Sequence, residues 1–320
     1  MTEPTVGTLR VNGATLHYEV RGQGPLLLLI PGGTGGAASL ATVADDLADT
    51  YTVATYDPRG IARSKLDAPE AEQRVEEHAE DALRLLDVLS PDEPGRVFGA
   101  SSGAIAALHL LTTHPERVER VIVHEPPVVE VLPDAPVHRA LLVRVQDTFR
   151  SQGLMPAMAV FASGMRKDGD DTEAEPEVET KPGPGVEAEP EVETKPGPEV
   201  ELPPQAAKRA EQTMADLPYF VGRIVPSFMS YSPDIHRLKA LSDRLLLACG
   251  QDSRGELPYR PAAYLAERLG KELLHFPGGH VGLTTHPAEF AKLLRTALHA
   301  VPAQVDDDPR NSPSTTGTAG

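Results

Sequence analysis

The sequence predicts an α/β fold, a mostly parallel and doubly wound sheet with helices on both faces, interrupted by a helical segment over residues 131–235. Three observations carry this reading. Short apolar, strand-like runs alternate with segments of helical period; a Gly-x-Ser-x-Gly string stands between a strand and a helix; and between Pro126 and about Tyr231 the pattern is mainly helical before strand signals resume.

The elements follow in chain order. Thr8–Val11 and Thr15–Val20 flank Asn12-Gly13, a dipeptide suited to a tight turn, so the chain opens with an antiparallel hairpin. Leu26–Ile30 and Thr52–Tyr56 read as buried strands, separated by a helix whose apolar stripe is Leu40, Val43, Ala44 and Leu47. A longer helix is expected over Glu70–Leu89, with Val75, Ala79, Ala82, Leu83 and Leu86 on one face. Arg96–Phe98 is the next strand, the Ala/Leu-rich stretch Ala104–Leu111 a helix, and Arg120–His124 another strand. Beyond the helical segment, Arg244–Ala248 and Glu272–Phe276 are strands, and Pro287–Ala300 closes the chain as a helix.

Residues 173–184 and 187–198 are the same twelve residues repeated, and from Glu173 to Glu201 ten Glu stand against Lys181 and Lys195. Frequent proline and like-charge repulsion prevent a packed core, so an insert over 168–204 is expected to be disordered. It reads as a tolerated repeat expansion in a surface loop rather than an acidic docking arm. Residues 302–320 are rich in Pro, Ser, Thr and Gly and are expected to be a disordered tail. The core is then assigned to 1–130 and 236–301, and the helical segment to a cap.

Composition narrows the function classes. A net charge of −17 makes nucleic acid and acidic membranes poor partners. Apolar runs such as Leu26–Ile30 are far too short to span a bilayer, and Met1–Gly7 has no signal-peptide pattern, so a soluble, cytoplasmic protein is expected. The single cysteine, Cys249, continues an apolar run and reads as a buried structural thiol. No His/Cys/Asp cluster has metal-ligand spacing, and no cofactor is expected. Oligomeric state leaves no signal in the sequence.

The chemistry centres on Gly99-Ala100-Ser101-Ser102-Gly103. A strand before and a helix after force the middle serine onto a sharp turn with its hydroxyl exposed above the sheet, and the glycines relieve clashes with neighbouring backbone. Around it stand a Gly-rich turn Pro31-Gly32-Gly33-Thr34-Gly35-Gly36 after one strand and Tyr56-Asp57-Pro58-Arg59-Gly60 after the next. Gly250-Gln251-Asp252 follows a late strand, and Pro277-Gly278-Gly279-His280 lies near the end. With these five motifs in this order the chain resembles the α/β-hydrolase fold family over roughly residues 5–130 and 236–301. Family members commonly have His where this chain has Pro31 before the first glycine.

The resemblance implies a serine hydrolase. A serine hydroxyl must lose its proton as it attacks, so a neutral imidazole must lie within reach and a carboxylate must fix that imidazole's tautomer. These roles fall to Ser101, His280 and Asp252, with Glu125, at the end of the strand after the elbow, as the alternative acid. Oxyanion donors are expected from the backbone N–H groups of Ser102 and Gly33, with Thr34 a neighbouring candidate. Asp57 and Arg59 read as structural. The implied substrate is a small molecule, a small or medium hydrophobic ester, thioester or lactone cleaved through an acyl-enzyme. Met155, Met158, Met165, Met214, Met229, Phe149, Phe161, Phe220 and Phe228, all in the helical segment, either line an apolar pocket or pack helix on helix. Esterases, lactonases, thioesterases, peptidases, acyltransferases and carbon–carbon bond hydrolases share this machinery.

Two other readings remain. One is a catalytically silent member that binds a small ligand. The other is an NAD(P)-binding oxidoreductase: Gly33-Thr34-Gly35-Gly36-Ala37-Ala38 satisfies Gly-x-Gly-x-x-Ala after a strand, and Asp57 falls near where a ribose-binding acid belongs. Against it, a hairpin precedes the Gly-rich turn, and Ser101, Asp252 and His280 are left without a role.

Overall fold

A computed structural model describes residues 3–166 and 204–299. Residues 168–203 of the expected insert and the expected tail, 302–320, lie outside the described residues, and Pro204, assigned to the insert, instead starts a helix. Strands β1 (Thr5–Val11) and β2 (Ala14–Arg21) form the opening hairpin around Asn12-Gly13, with Gly13 at φ 75°, a left-handed value that its missing Cβ permits. Then come β3 (Leu26–Ile30), helix α1 (Ala41–Leu47), β4 (Thr52–Tyr56), the two-residue β5 (Lys65–Leu66) and α2 (Val75–Leu89). The sheet continues with β6 (Gly95–Ala100), α3 (Ser102–Thr113) and β7 (Val118–His124).

Helices α4 (Ala135–Gln152), α5 (Leu154–Met165), α6 (Pro204–Tyr219) and α7 (Val225–Met229) occupy the segment between β7 and the next strand, and the short α8 (Ile235–Ala240) leads back to the sheet. A π-helical turn, Phe220–Ile224, joins α6 to α7. The chain ends its described course with β8 (Leu245–Gly250), α9 (Tyr259–Leu269), β9 (Leu273–Phe276), α10 (Gly282–Thr285) and α11 (Pro287–His299).

Strand order is β1-β2-β4-β3-β6-β7-β8-β9, with β5 beside β2. Only the β1, β2 and β5 edge is antiparallel, and from β4 to β9 every pairing is parallel. A parallel sheet must be covered on both faces. Alternate residues of β3 divide accordingly: Leu26, Leu28 and Ile30 belong to the core cluster on the face of α2 and α3, while Leu27 and Leu29 belong to the cluster on the face of α1 and α11. The helices between β7 and β8 have a separate cluster around Leu141, Val145, Val221 and Val225.

One expected boundary moves. Helix α2 starts at Val75 rather than Glu70, because the chain turns at Ala68–Ala71, where the Ala71 N–H donates to the Ala68 carbonyl at 3.0 Å. The Gln73 side chain then folds inward, donating to the Ala71 carbonyl at 3.2 Å and meeting His78 Nε2 at 3.3 Å. Burying that amide with partners of its own keeps residues 70–74 out of the helix.

Candidate active site

Ser101 sits between the end of β6 and the start of α3 with φ 52° and ψ −120°, a backbone conformation that L-residues avoid. The strain is held by the Ser101 N–H donating to the His124 carbonyl (2.9 Å) and by the Ala104 and Ile105 N–H groups on the Ser101 carbonyl (2.9 and 3.2 Å). The turn is possible because of its neighbours. A Cβ on Gly99 would stand 2.5 Å from the Gly103 carbonyl oxygen, and one on Gly103 would strike the carbonyls of Ile30 and Pro31.

His280, in the loop after β9, faces the turn. Its Nε2 lies 3.1 Å from Ser101 Oγ and its Nδ1 2.6 Å from Glu125 Oε2. Glu125 follows β7 directly at φ 48°, immediately before Pro126-Pro127, where an extended conformation is the norm. Its backbone N–H donates to the Ala248 carbonyl at 3.0 Å, which fixes the residue at the C-terminal end of β7, between β6 and β8. Its carboxylate is fully buried: Oε1 accepts from the Gly250 N–H at 2.8 Å and from the Ser253 hydroxyl, and Oε2 faces His280. Burial by itself would raise this carboxyl's pKa, but the bonds from His280 and Ser253 prevail and hold it below the usual glutamate value.

The structure therefore brings Glu125, the alternative acid of the sequence reading, to His280, and not Asp252, the acid that reading ranked first. Asp252 is exposed, its backbone N–H donates to the Gly278 carbonyl at 3.1 Å, and its side chain makes no hydrogen bond to His280. The physical reason is the turn after β8, which directs the next residue, Ser253, inward onto Glu125 and leaves Asp252 in solvent. Ser253, fully buried, is the residue that sequence reasoning missed; a lone serine beside an aspartate in a loop carries no signal of its own.

The Gly-rich turn after β3 lies across from the elbow. The Gly35 N–H donates to the Gly32 carbonyl at 2.9 Å, Gly33 adopts φ 61°, and the Gly33 N–H donates to the Ser102 hydroxyl oxygen at 3.0 Å. Gly33, Thr34, Ser101, Ser102 and His280 all border one cavity of about 700 Å³. Its other wall comes from the helical segment through Met158, Phe161, Met165, Phe220, Phe228 and Met229. The two roles weighed for these side chains divide: Met155 and Met214 are exposed and Phe149 packs among the helices, while these six line the cavity.

Asp57 is fully buried and has no capacity left for a ribose. Its Oδ1 accepts from the Ala37 N–H (2.8 Å) and Arg63 Nη2 (3.1 Å), and its Oδ2 from the Arg63 backbone N–H (3.1 Å) and Nε (2.7 Å). Arg59 is paired with Asp81 through two bonds of 2.7 and 2.6 Å. Cys249 is buried, and burial pushes its thiol far above the ordinary value, leaving it unreactive. Among the described residues no group of three or more His, Cys, Asp or Glu could hold a metal ion, and no helix is long and apolar enough to cross a membrane.

Residues 25–287 match the alpha/beta hydrolase fold family. An uncharacterized hydrolase, YraK, from Bacillus subtilis (strain 168) is 35% identical over 298 residues, covering 91% of this chain and 95% of that protein. A zearalenone hydrolase from Bionectria ochroleuca is 33% identical over 129 residues, 39% of this chain and 48% of its own. A thermophilic esterase from Thermogutta terrifontis superposes with a TM-score of 0.66 at 17% identity, over 94% of this chain and all of that one. Sheet order, elbow and these matches agree, and the chain belongs to the alpha/beta hydrolase fold family as a hydrolase.

Proposed function

We propose that this hydrolase cleaves a small or medium hydrophobic ester, thioester or lactone through an acyl-enzyme on Ser101. The observation that carries the proposal is the continuous chain from Ser101 Oγ through His280 to Glu125, at 3.1 and 2.6 Å, opening onto an apolar cavity. Ser101 Oγ attacks the acyl carbon while His280 Nε2 takes its proton. Glu125 holds the Nδ1–H tautomer and stabilises the imidazolium that forms. General-base help of this kind contributes about 10²- to 10⁴-fold. As the tetrahedral species collapses, His280 returns the proton to the departing alkoxide or thiolate; for a lactone that group stays tethered to the acyl chain. Water, deprotonated by the same imidazole, then releases the acid and restores Ser101. The Ser102 N–H, at the first turn of α3 where backbone donors have no partner within the helix, supports the oxyanion. The helices between β7 and β8 act as a cap whose Met and Phe side chains shape an adaptable apolar site.

The test is peptide-mapped labelling by a fluorophosphonate, comparing wild type with Ser101→Ala and His280→Ala. Adduct on Ser101 that is lost in both variants is expected; a folded wild type that takes no label refutes the mechanism. Across an ester series of increasing acyl length, kcat/KM should rise until the cavity is filled, and a flat series refutes the apolar-substrate assignment.

A further inference from the structure

We propose that the Ser102 side chain is itself an oxyanion donor, its hydroxyl polarised by the Gly33 N–H, so that the residue after the nucleophile supplies two donors and Gly33 acts through it. The proposal rests on the serine-hydrolase reading above. The N–H of Gly33 is already committed, donating to Ser102 Oγ at 3.0 Å. The turn that carries Gly33 is braced by the Gly35 N–H on the Gly32 carbonyl at 2.9 Å, and in it the Gly33 N–H is directed at Ser102 Oγ. The Ser102 hydroxyl can donate as well as accept, and among the described residues its proton has no acceptor. Ser102 is only half-buried and borders the cavity together with Ser101 and Gly33, so this unspent proton opens toward the place where an acyl oxygen would gain charge.

Chemistry favours the relay. A hydroxyl that accepts an N–H bond becomes a better donor through its own proton, and bonds in series strengthen one another in a site shielded from water. The charge developing on the carbonyl oxygen is then met by the N–H and O–H of one residue, both on the positive end of α3. No covalent bond changes at Ser102: its proton stays on Oγ throughout, and the proton transferred in the reaction remains the one exchanged between Ser101 and His280.

The experiment compares wild type, Ser102→Ala and Ser102→Thr on one neutral ester, with kcat and KM separated, and measures inhibition by an arylboronic acid, whose tetrahedral adduct places an oxygen in the same hole. Removing one such donor costs on the order of 10²-fold in rate. Ser102→Ala should therefore lose about that factor in kcat with KM little changed, and boronate affinity should fall in step. Ser102→Thr, which keeps the hydroxyl, should recover most of both. Thermal unfolding of each variant separates these effects from loss of fold. Ser102→Ala with kcat and boronate affinity equal to or above wild type overturns the proposal, since Gly33 would then donate directly once uncovered. Fluorophosphonate labelling of wild-type Ser101 separates the two failures: without it the hydrolase mechanism falls and the relay with it, while a labelled wild type with an unimpaired Ser102→Ala defeats the relay alone.

Discussion

Replacing Glu125 by glutamine should abolish most activity while replacing Asp252 by asparagine should not, and the surroundings of Glu125 fix the size of the first effect. An introduced amide could in principle turn either way. At the Oε1 position, however, two donors converge, the Gly250 N–H at 2.8 Å and the Ser253 hydroxyl, and an NH₂ placed there would face both. The amide oxygen must therefore stay with Gly250 and Ser253, and the NH₂ must take the Oε2 position, 2.6 Å from His280 Nδ1. An NH₂ there can only donate, so Nδ1 becomes an acceptor and the ring proton moves to Nε2. An imidazole in that tautomer cannot take a proton from Ser101. The analogous carboxamide in a serine protease lowers kcat by about 10⁴, and a loss of about 10³- to 10⁴-fold, about 4 to 5.5 kcal/mol of transition-state stabilisation, is expected here.

The assay is steady-state hydrolysis of an activated ester, read beside the rate of fluorophosphonate labelling, with Tm as a check that the isosteric variant folds. Asp252→Asn should match wild type in both. Glu125→Gln within roughly tenfold of wild type, or Asp252→Asn falling as far as Glu125→Gln is expected to fall, refutes the assignment of Glu125.

Other consequences are independent of turnover. Arg59 and Asp81 are both almost fully buried and joined by two bonds, so Arg59→Met strands a carboxylate and should cost about 3–5 kcal/mol in urea unfolding, part of which Asp81→Asn should restore. Gly103→Ala places a methyl group against the Ile30 and Pro31 carbonyls, and should lose about 1–3 kcal/mol by overpacking and move Ser101 away from His280; an alanine variant as stable and as readily labelled as wild type would contradict this. Glu125 also contributes to acid sensitivity. Its folded pKa lies below the unfolded value, so its stabilising contribution is complete above the ordinary glutamate pKa of about 4.3 and is lost as pH falls through the lower folded value. Glu125→Gln should flatten the fall in stability at that acidic end, and an unchanged pH profile would show that Glu125 is not held as a carboxylate.

Much of the fold was legible because its signals are local. Asn12-Gly13 sets a two-residue turn, and Leu26–Ile30 and the β-branched and aromatic Thr52–Tyr56 read as buried strands; the structure places β3 and β4 on those residues. The start of α2 was not legible, because Glu70–Arg74 has helix-forming residues and what removes them is a contact with His78, later in the chain. The cavity wall was half legible. Spacing put Met and Phe in the helical segment, but which of them face the nucleophile depends on how α5 and the π-helical turn sit over the sheet, and that is tertiary information.

The acid shows where local reading stops. The sequence reading expected Ser101, Glu125, Asp252 and His280 in loops that follow strands, and in the structure these loops follow β6, β7, β8 and β9. Choosing between the carboxylates needs the direction of two turns. His124-Glu125-Pro126-Pro127 ends a strand with a residue that proline disfavours in helical or left-handed conformation, and Glu125 nonetheless adopts φ 48°. That strain is tolerated because the side chain it aims inward gains partners from two distant segments, Gly250 and Ser253 on one and His280 on the other. Asp252 lies on the first of those segments, one residue from Ser253, and it is exposed for the same reason that Ser253 is buried: one turn cannot send adjacent side chains to the same place. A carboxylate held by three donors is also already oriented before substrate arrives, which an exposed aspartate in a loop is not, and a triad acid must orient its imidazole; that is the ground for proposing Glu125 rather than Asp252.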